Sequence, residues 1–377
     1  MATRTWNSSG STDMNDGANY TGSGELLTSD DLVFDDTSVV NAIATADLSV
    51  NSITTTSGYS GNWSTGVGHG FTVAAGVSFD HTGSLDIRGA CSIGSGGCHI
   101  GSGIGTLVTI GSSFTFTDDC TVDVNKPVTT GAWTIDAGVS VVVSGSSNMF
   151  IEVSDTVDLT MGDGASLTAS CGSMFRVYKS QDGAFMSLGS GCAIKGTAAL
   201  YFVVDGGATC TLPAFTYTGS GAVKLTNASL ADAGSTIKLT GNLNVGTSTC
   251  EIFNSSSSAN ATFAFDTDGY NITCGSFCPG NNKSSGETAT LYYRNSSISC
   301  TSIRGWYDGA AGTTINMGSA TISCSGGIWA LSNCTYNVGT SVTTITGEST
   351  LTSNGKKWTS MLAINAPSAT VKRGQMI

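Results

Sequence analysis

From Gly70 onward the chain alternates apolar and polar residues in short runs of three to six positions, each closed by Gly, Asn or Asp. Phe71–Val73, Leu85–Ile87, Leu107–Ile110, Phe114–Phe116, Trp133–Ile135, Val139–Val143, Val157–Leu159, Leu200–Val204 and Ile237–Leu239 are such runs. A period of two places one set of side chains on a buried face and the other in solvent, which predicts β-strands. The helix formers Glu, Lys, Gln and Arg are sparse while Thr, Val and Ile abound, so helix is expected to be nearly absent. The fifty glycines are spread along the chain, so that Gly interrupts every stretch of about ten residues.

The cysteines add a longer period. Cys98 and Cys120, then Cys171, Cys192 and Cys210, then Cys250, Cys274, Cys300 and Cys324 are separated by steps of about 18 to 26 residues, with gaps of about two steps. Repetition at that length in an all-β chain predicts a single-stranded parallel β-helix, a β-solenoid whose coils stack at about 4.8 Å. About a dozen coils are expected over a body at 66–345. Residues 1–65 are read as an N-terminal capping segment and 346–377 as a strand segment or the start of a further module. One Cys per coil would form an inward ladder, where a small polarisable side chain suits a packed interior. Disulfides between adjacent coils remain an alternative on Cα spacing. A metal site is not expected: no CxxC pair exists, and only His99 stands beside a cysteine.

Composition narrows the functional classes. Charged residues are 11% of 377 and the formal net charge is −12, with fifteen Lys and Arg thinly scattered, so no basic footprint for nucleic acid is present. No apolar run is long enough to cross a bilayer as a helix, and no membrane insertion is expected. Met1-Ala2 reads as an initiator start without a leader peptide. Three histidines, no Gly-x-Ser-x-Gly turn ahead of a helix and no phosphate loop leave little recognisable chemistry, and no cofactor is expected. Paired carboxylates for glycoside cleavage could come only from Asp118 and Asp119, Asp155 and Asp158, or Asp266 and Asp268, which equally suit solvated turns. The sequons at Asn227, Asn254, Asn260, Asn271, Asn282, Asn295 and Asn333 arise readily in a chain so rich in Asn, Ser and Thr. The better signal is aromatic. Tyr292, Tyr293 and Arg294, with Arg304, Trp306, Tyr307 and Asp308, combine flat rings with hydrogen-bonding groups as saccharide recognition requires, although rings of this kind also plug cores.

Trp6, Asn19-Tyr20 and Asp30-Asp31-Leu32-Val33-Phe34-Asp35-Asp36 resemble the opening module of β-helical phage tail and appendage proteins and of autotransporter-type adhesins. In those proteins a Trp, an Asn-Trp and an Asp-Asp-Val-Val-Phe segment precede the first coils. Here Tyr20 stands for the Trp and no Pro precedes the acidic pair. Ser349–Trp358 and Leu362–Pro367 are similar to segments that recur in the same phage proteins. The resemblance implies a fibre or spike on the exterior of a virion, displaying a binding face for a host-surface glycan, assembled with other virion proteins and as a homo-oligomer, a trimer above all. The sequence reading is therefore a non-enzymatic appendage protein. Its rivals are a polysaccharide-degrading enzyme on the same scaffold and an adhesin or filament subunit of the bacterial cell surface.

Overall fold

A computed structural model describes residues 2–104, 106–110, 113–153, 157–228, 234–255, 261–279, 288–303, 312–329, 334–347, 350–352, 361–364 and 370–371. The chain is all-β, its parallel strands stacked as a β-solenoid of about twelve turns. Among the described residues the one helical element is the 3-10 turn Gly17–Asn19. No helix among them is long and apolar enough to cross a membrane. Two compact units divide the chain: Met1–Glu152, Asp158–Phe175 and Leu188–Cys192 form the first, and Val153–Val157, Arg176–Ser187 and Ala193–Ile377 the second.

In the first unit the strand Thr3–Thr5 pairs in parallel with Asp31–Phe34. Strand Asp31–Phe34 pairs in parallel with Leu48–Thr55, which pairs with Phe71–Phe79. That last strand feeds two columns. Its first half aligns with Cys91–Ile93 and, through it, with Phe114–Phe116, Trp133–Ile135 and Leu159–Met161. Its second half aligns with Cys98–Ile100 and onward with Cys120–Val124, Ser140–Ser144 and Ser166–Ala169. The strands Ala42–Ala44, Trp63–Thr65, Ser84–Ile87 and Thr106–Ile110 make a third face. Three-residue strands with a buried–half-buried–buried pattern expose only their middle residue, the arithmetic of a period of two. Gly76 (φ 129°) marks the bend between the two halves of Phe71–Phe79; a Cβ there would lie 2.6 Å from the Gly96 carbonyl carbon, so only glycine fits.

The N-terminal segment closes the apolar interior with rings. Trp6 meets Tyr20 edge-on at 5.2 Å and Phe34 at 5.7 Å, and Phe34 meets Tyr59 at 5.6 Å. Trp6 Nε1 donates to the Val40 carbonyl at 3.1 Å and the Tyr20 hydroxyl donates to that of Met14 at 3.1 Å, so the buried polar edges are satisfied. Asp30, 1% exposed, accepts from Arg4 Nε at 3.1 Å and from the Leu27 amide at 3.0 Å. These contacts give physical roles to Trp6, Tyr20 and Phe34, three of the residues that carry the sequence resemblance.

His81 is fully buried beside the Tyr59 ring. Nε2–H donates to the Ser84 carbonyl at 3.1 Å, and Nδ1 then accepts from the Thr55 hydroxyl at 2.9 Å, which requires the neutral ring. Burial lowers its pKa, against the Ser84 carbonyl and the Asp80 charge, which raise it. A histidine depressed in the folded state binds its proton first in the unfolded chain, so the stability it supports is complete above about pH 6.5 and is lost as pH falls below that value. Thermal unfolding followed from pH 7.5 to pH 5 is expected to show a falling midpoint, with a shallower fall in His81→Gln.

In the second unit one column runs Ala199–Val204, Val223–Asn227, Thr249–Asn254, Ile272–Pro279, Ser297–Ile303, Thr321–Cys324, Val342–Ile345 and Met361–Ile364, each parallel to the next. A facing column runs Gly183–Ala184, Thr209–Leu212, Ser235–Leu239, Thr262–Asp266, Thr288–Tyr292, Thr313–Asn316 and Cys334–Asn337. Thr350–Thr352, Met361–Ile364 and Thr370–Val371 continue parallel pairing within the segment 346–377.

Cys274, Cys300 and Cys324 occupy one register position on three consecutive strands, all buried. The Cys300 thiol is hydrogen-bonded with Cys324, which pushes Cys300 up and pulls Cys324 down against its burial; burial pushes Cys274 up to about 12. The other cysteines do not extend this ladder. Cys98 lies opposite Val122 rather than Cys120, Cys120 opposite Val141, Cys210 opposite Ile237, and Cys250 opposite Val223 and Phe277. Cys171 and Cys192 stand outside the strands, and Cys192 is half-exposed with its thiol donating to the Gly162 carbonyl at 3.1 Å. Turns of unequal length between coils shift the register, so equal spacing does not guarantee equal position. None of the twelve cysteines is in a disulfide.

Candidate functional site

The second unit carries an outward file of chemistry-bearing residues at one register position: Lys238, Asp266, Tyr292, Asn316 and Asn337 on successive strands. The strand alternation that buries Phe265, Leu291 and Ile315 turns this file away from the core. Each strand then enters a tight turn, and the equivalent residues Asp268 (φ 48°), Arg294 (φ 54°), Gly318 (φ 60°) and Gly339 (φ 57°) are all left-handed. Glycine is the unstrained choice there, and at Gly318 an added Cβ would lie 2.5 Å from the Arg294 carbonyl oxygen. Asp268 and Arg294 hold charged side chains at a conformational cost, a pattern that concentrates at functional positions.

The Arg294 guanidinium grips Asp266 with both arms, Nε on Oδ1 at 2.6 Å and Nη2 on Oδ2. Burial would raise the Asp266 carboxyl, but Arg294, the Asp268 amide and Lys238 outweigh it and hold the pKa below the ordinary value. Lys238 Nζ pairs with Asp268 Oδ2 at 3.1 Å. Two cations are thus matched by two anions. The Arg294 guanidinium also lies 5.9 Å from the centre of the Tyr292 ring, which is 38% exposed. Asn337 Nδ2 donates to Asn316 Oδ1 at 2.8 Å, which fixes the Asn316 amide with its own Nδ2 left without a partner among the described residues. Tyr292, Arg294, Asn295, Asn316, Gly318 and Ser319 line an open depression of about 400 Å³.

Of the residues singled out from sequence, Tyr292 and Arg294 share this depression. Tyr293 does not. One position past the strand's last residue, it points inward at 2% exposure, against Phe277 at 5.9 Å and beside a small apolar void of about 30 Å³. It is a core residue, and a ligand at the surface cannot reach its ring. Arg304, Trp306, Tyr307 and Asp308 lie outside the described residues, as does Asp155. Asn295 stands out only as a sequon, and Asn316 and Ser319 carry no local motif; they join the site because each lies one coil from its neighbour or in the adjoining turn.

The carboxylate pairs are occupied or apart. Asp266 and Asp268 are each committed to a cation, Asp158 is fully buried, and Asp119 caps the Ser140 amide at 2.7 Å. Among the described residues no group of three or more His, Cys, Asp or Glu is placed to hold a metal ion. The arrangement is suited to recognition: a ring face flanked by amide, hydroxyl and guanidinium donors, with its charges internally balanced. No protein-family model, no curated protein and no solved structure matches this chain.

Proposed function

We propose that the chain is a β-solenoid appendage protein of a phage virion, a tail fibre, spike or head fibre, whose Tyr292 face binds a host-surface saccharide. The observation that carries the binding part is the file itself. A half-exposed ring with matched charges and unpaired amide donors favours a neutral, hydroxyl-rich ligand over an ion, because the fixed charges already satisfy one another. The N-terminal resemblance supports the virion setting, and the cap built on Trp6, Tyr20 and Phe34 gives that resemblance a structural role.

Exposed large apolar side chains among the described residues are Leu27, Val39, Val67, Val142, Tyr270 and Tyr292. A homotrimer of such a chain would therefore pack through hydroxyl and amide faces, as a wet interface. Gold-labelled antibody against the chain should decorate the exterior of particles released by lysis. Label confined to the envelopes of uninfected cells would replace this reading with that of a bacterial surface adhesin.

A further inference from the structure

A second outward file lies in the first unit. Ser78, His99 and Asp123 occupy one register position on the consecutive strands Phe71–Phe79, Cys98–Ile100 and Cys120–Val124. Their strand neighbours Val77, Cys98 and Val122 on one side, and Phe79, Ile100 and Val124 on the other, are buried, so all three project to the surface. His99 Nδ1 meets Asp123 Oδ2 at 2.8 Å. The carboxylate is fixed further by Asn125 Nδ2 on Oδ2 at 3.1 Å and by the Ser144 hydroxyl on Oδ1 at 3.1 Å.

An imidazole that donates Nδ1–H to a carboxylate presents a basic Nε2 on the far side of its ring. Ser78 stands one rung from His99, at about 4.8 Å between strands, on the side away from Asp123. Among the described residues neither the Ser78 hydroxyl nor His99 Nε2 has a hydrogen-bond partner, and the two are not bonded to each other; the nucleophile–base contact is one that forms when an ester is bound. The turn beside the file is bare: Gly76, Gly96 and Gly97 carry no side chains, and Gly96 is exposed. A substrate can approach along it.

We propose that Ser78, His99 and Asp123 form a nucleophile, base and positioning carboxylate that cleave small acyl esters. The Ser78 Oγ would bond to the ester carbonyl carbon as its proton passes to His99 Nε2. The bond from that carbon to the alcohol oxygen breaks, and the alcohol leaves with the proton. Water, deprotonated in turn by His99, releases the acid and restores the hydroxyl, so that ester and water give acid and alcohol. Asp123 acts through His99 and touches no substrate. This activity goes beyond saccharide binding and lies on a different unit.

The test uses the full chain and an alkyl fluorophosphonate probe, with peptide mapping by mass spectrometry and p-nitrophenyl acetate hydrolysis in parallel. One adduct at Ser78 is expected. Labelling should slow at least tenfold in His99→Gln and in Asp123→Asn, with a pH profile that His99→Gln flattens, and hydrolysis should vanish in Ser78→Ala. Because all three side chains are at the surface, circular dichroism and melting of the variants should match the parent. No adduct, an adduct at another serine, or equal labelling in His99→Gln overturns the proposal.

Discussion

Replacing Tyr293 by Ala is expected to destabilise the second unit by about 3 to 5 kcal/mol, whereas Tyr292→Ala should leave its stability within about 0.5 kcal/mol. The two residues are adjacent and chemically identical, and only the strand alternation separates them. Tyr293 packs its ring against Phe277 and lines the interior with Ile315, Met317 and Ile322. Truncation would open a cavity that parallel strands held on both sides cannot collapse to fill. Tyr292 gives up only a half-exposed ring and its contact with Arg294. Denaturant unfolding of the two variants measures the difference directly, and equal losses would mean that the register of strand Thr288–Tyr292 is misplaced by one residue.

The second large effect concerns the ladder. Cys300→Asp should cost several kcal/mol, because the carboxylate would be enclosed between the Cys274 and Cys324 positions without a cation to pair with. Cys192→Asp is expected to be nearly neutral, since Cys192 is half-exposed beside a turn. Melting temperatures of the two variants, compared with the parent at pH 7, give the result. Similar losses at both positions would remove the distinction between ladder and turn.

The sequence made the architecture legible because period-2 patterning and turn chemistry are local, and a solenoid is built from little else. Register is not local. The steps from Cys274 to Cys300 and from Cys300 to Cys324 coincide with single coils and yield true neighbours. The similar step from Cys98 to Cys120 falls two positions short of the register partner Val122. The same limit separates the sites. Tyr292 and Arg294 could be picked out because they stand together in sequence, and Tyr293 was included for that reason alone. Asn316 and Ser319 lie a coil away. Ser78, His99 and Asp123 are likewise one coil apart at each step, so no motif of fixed spacing could have joined them, and a chain that reads as chemically poor turns out to line up three complementary groups.

A glycan array probed side by side with the parent protein and Tyr292→Ala addresses the proposed binding face most directly. Retention of the parent on a restricted set of neutral saccharides, weakened at least tenfold by Tyr292→Ala with no change in melting temperature, is the expected result. Binding that survives the substitution unchanged, or a parent protein retained only by anionic glycans, would contradict the assignment of the Tyr292 file as the saccharide-binding face.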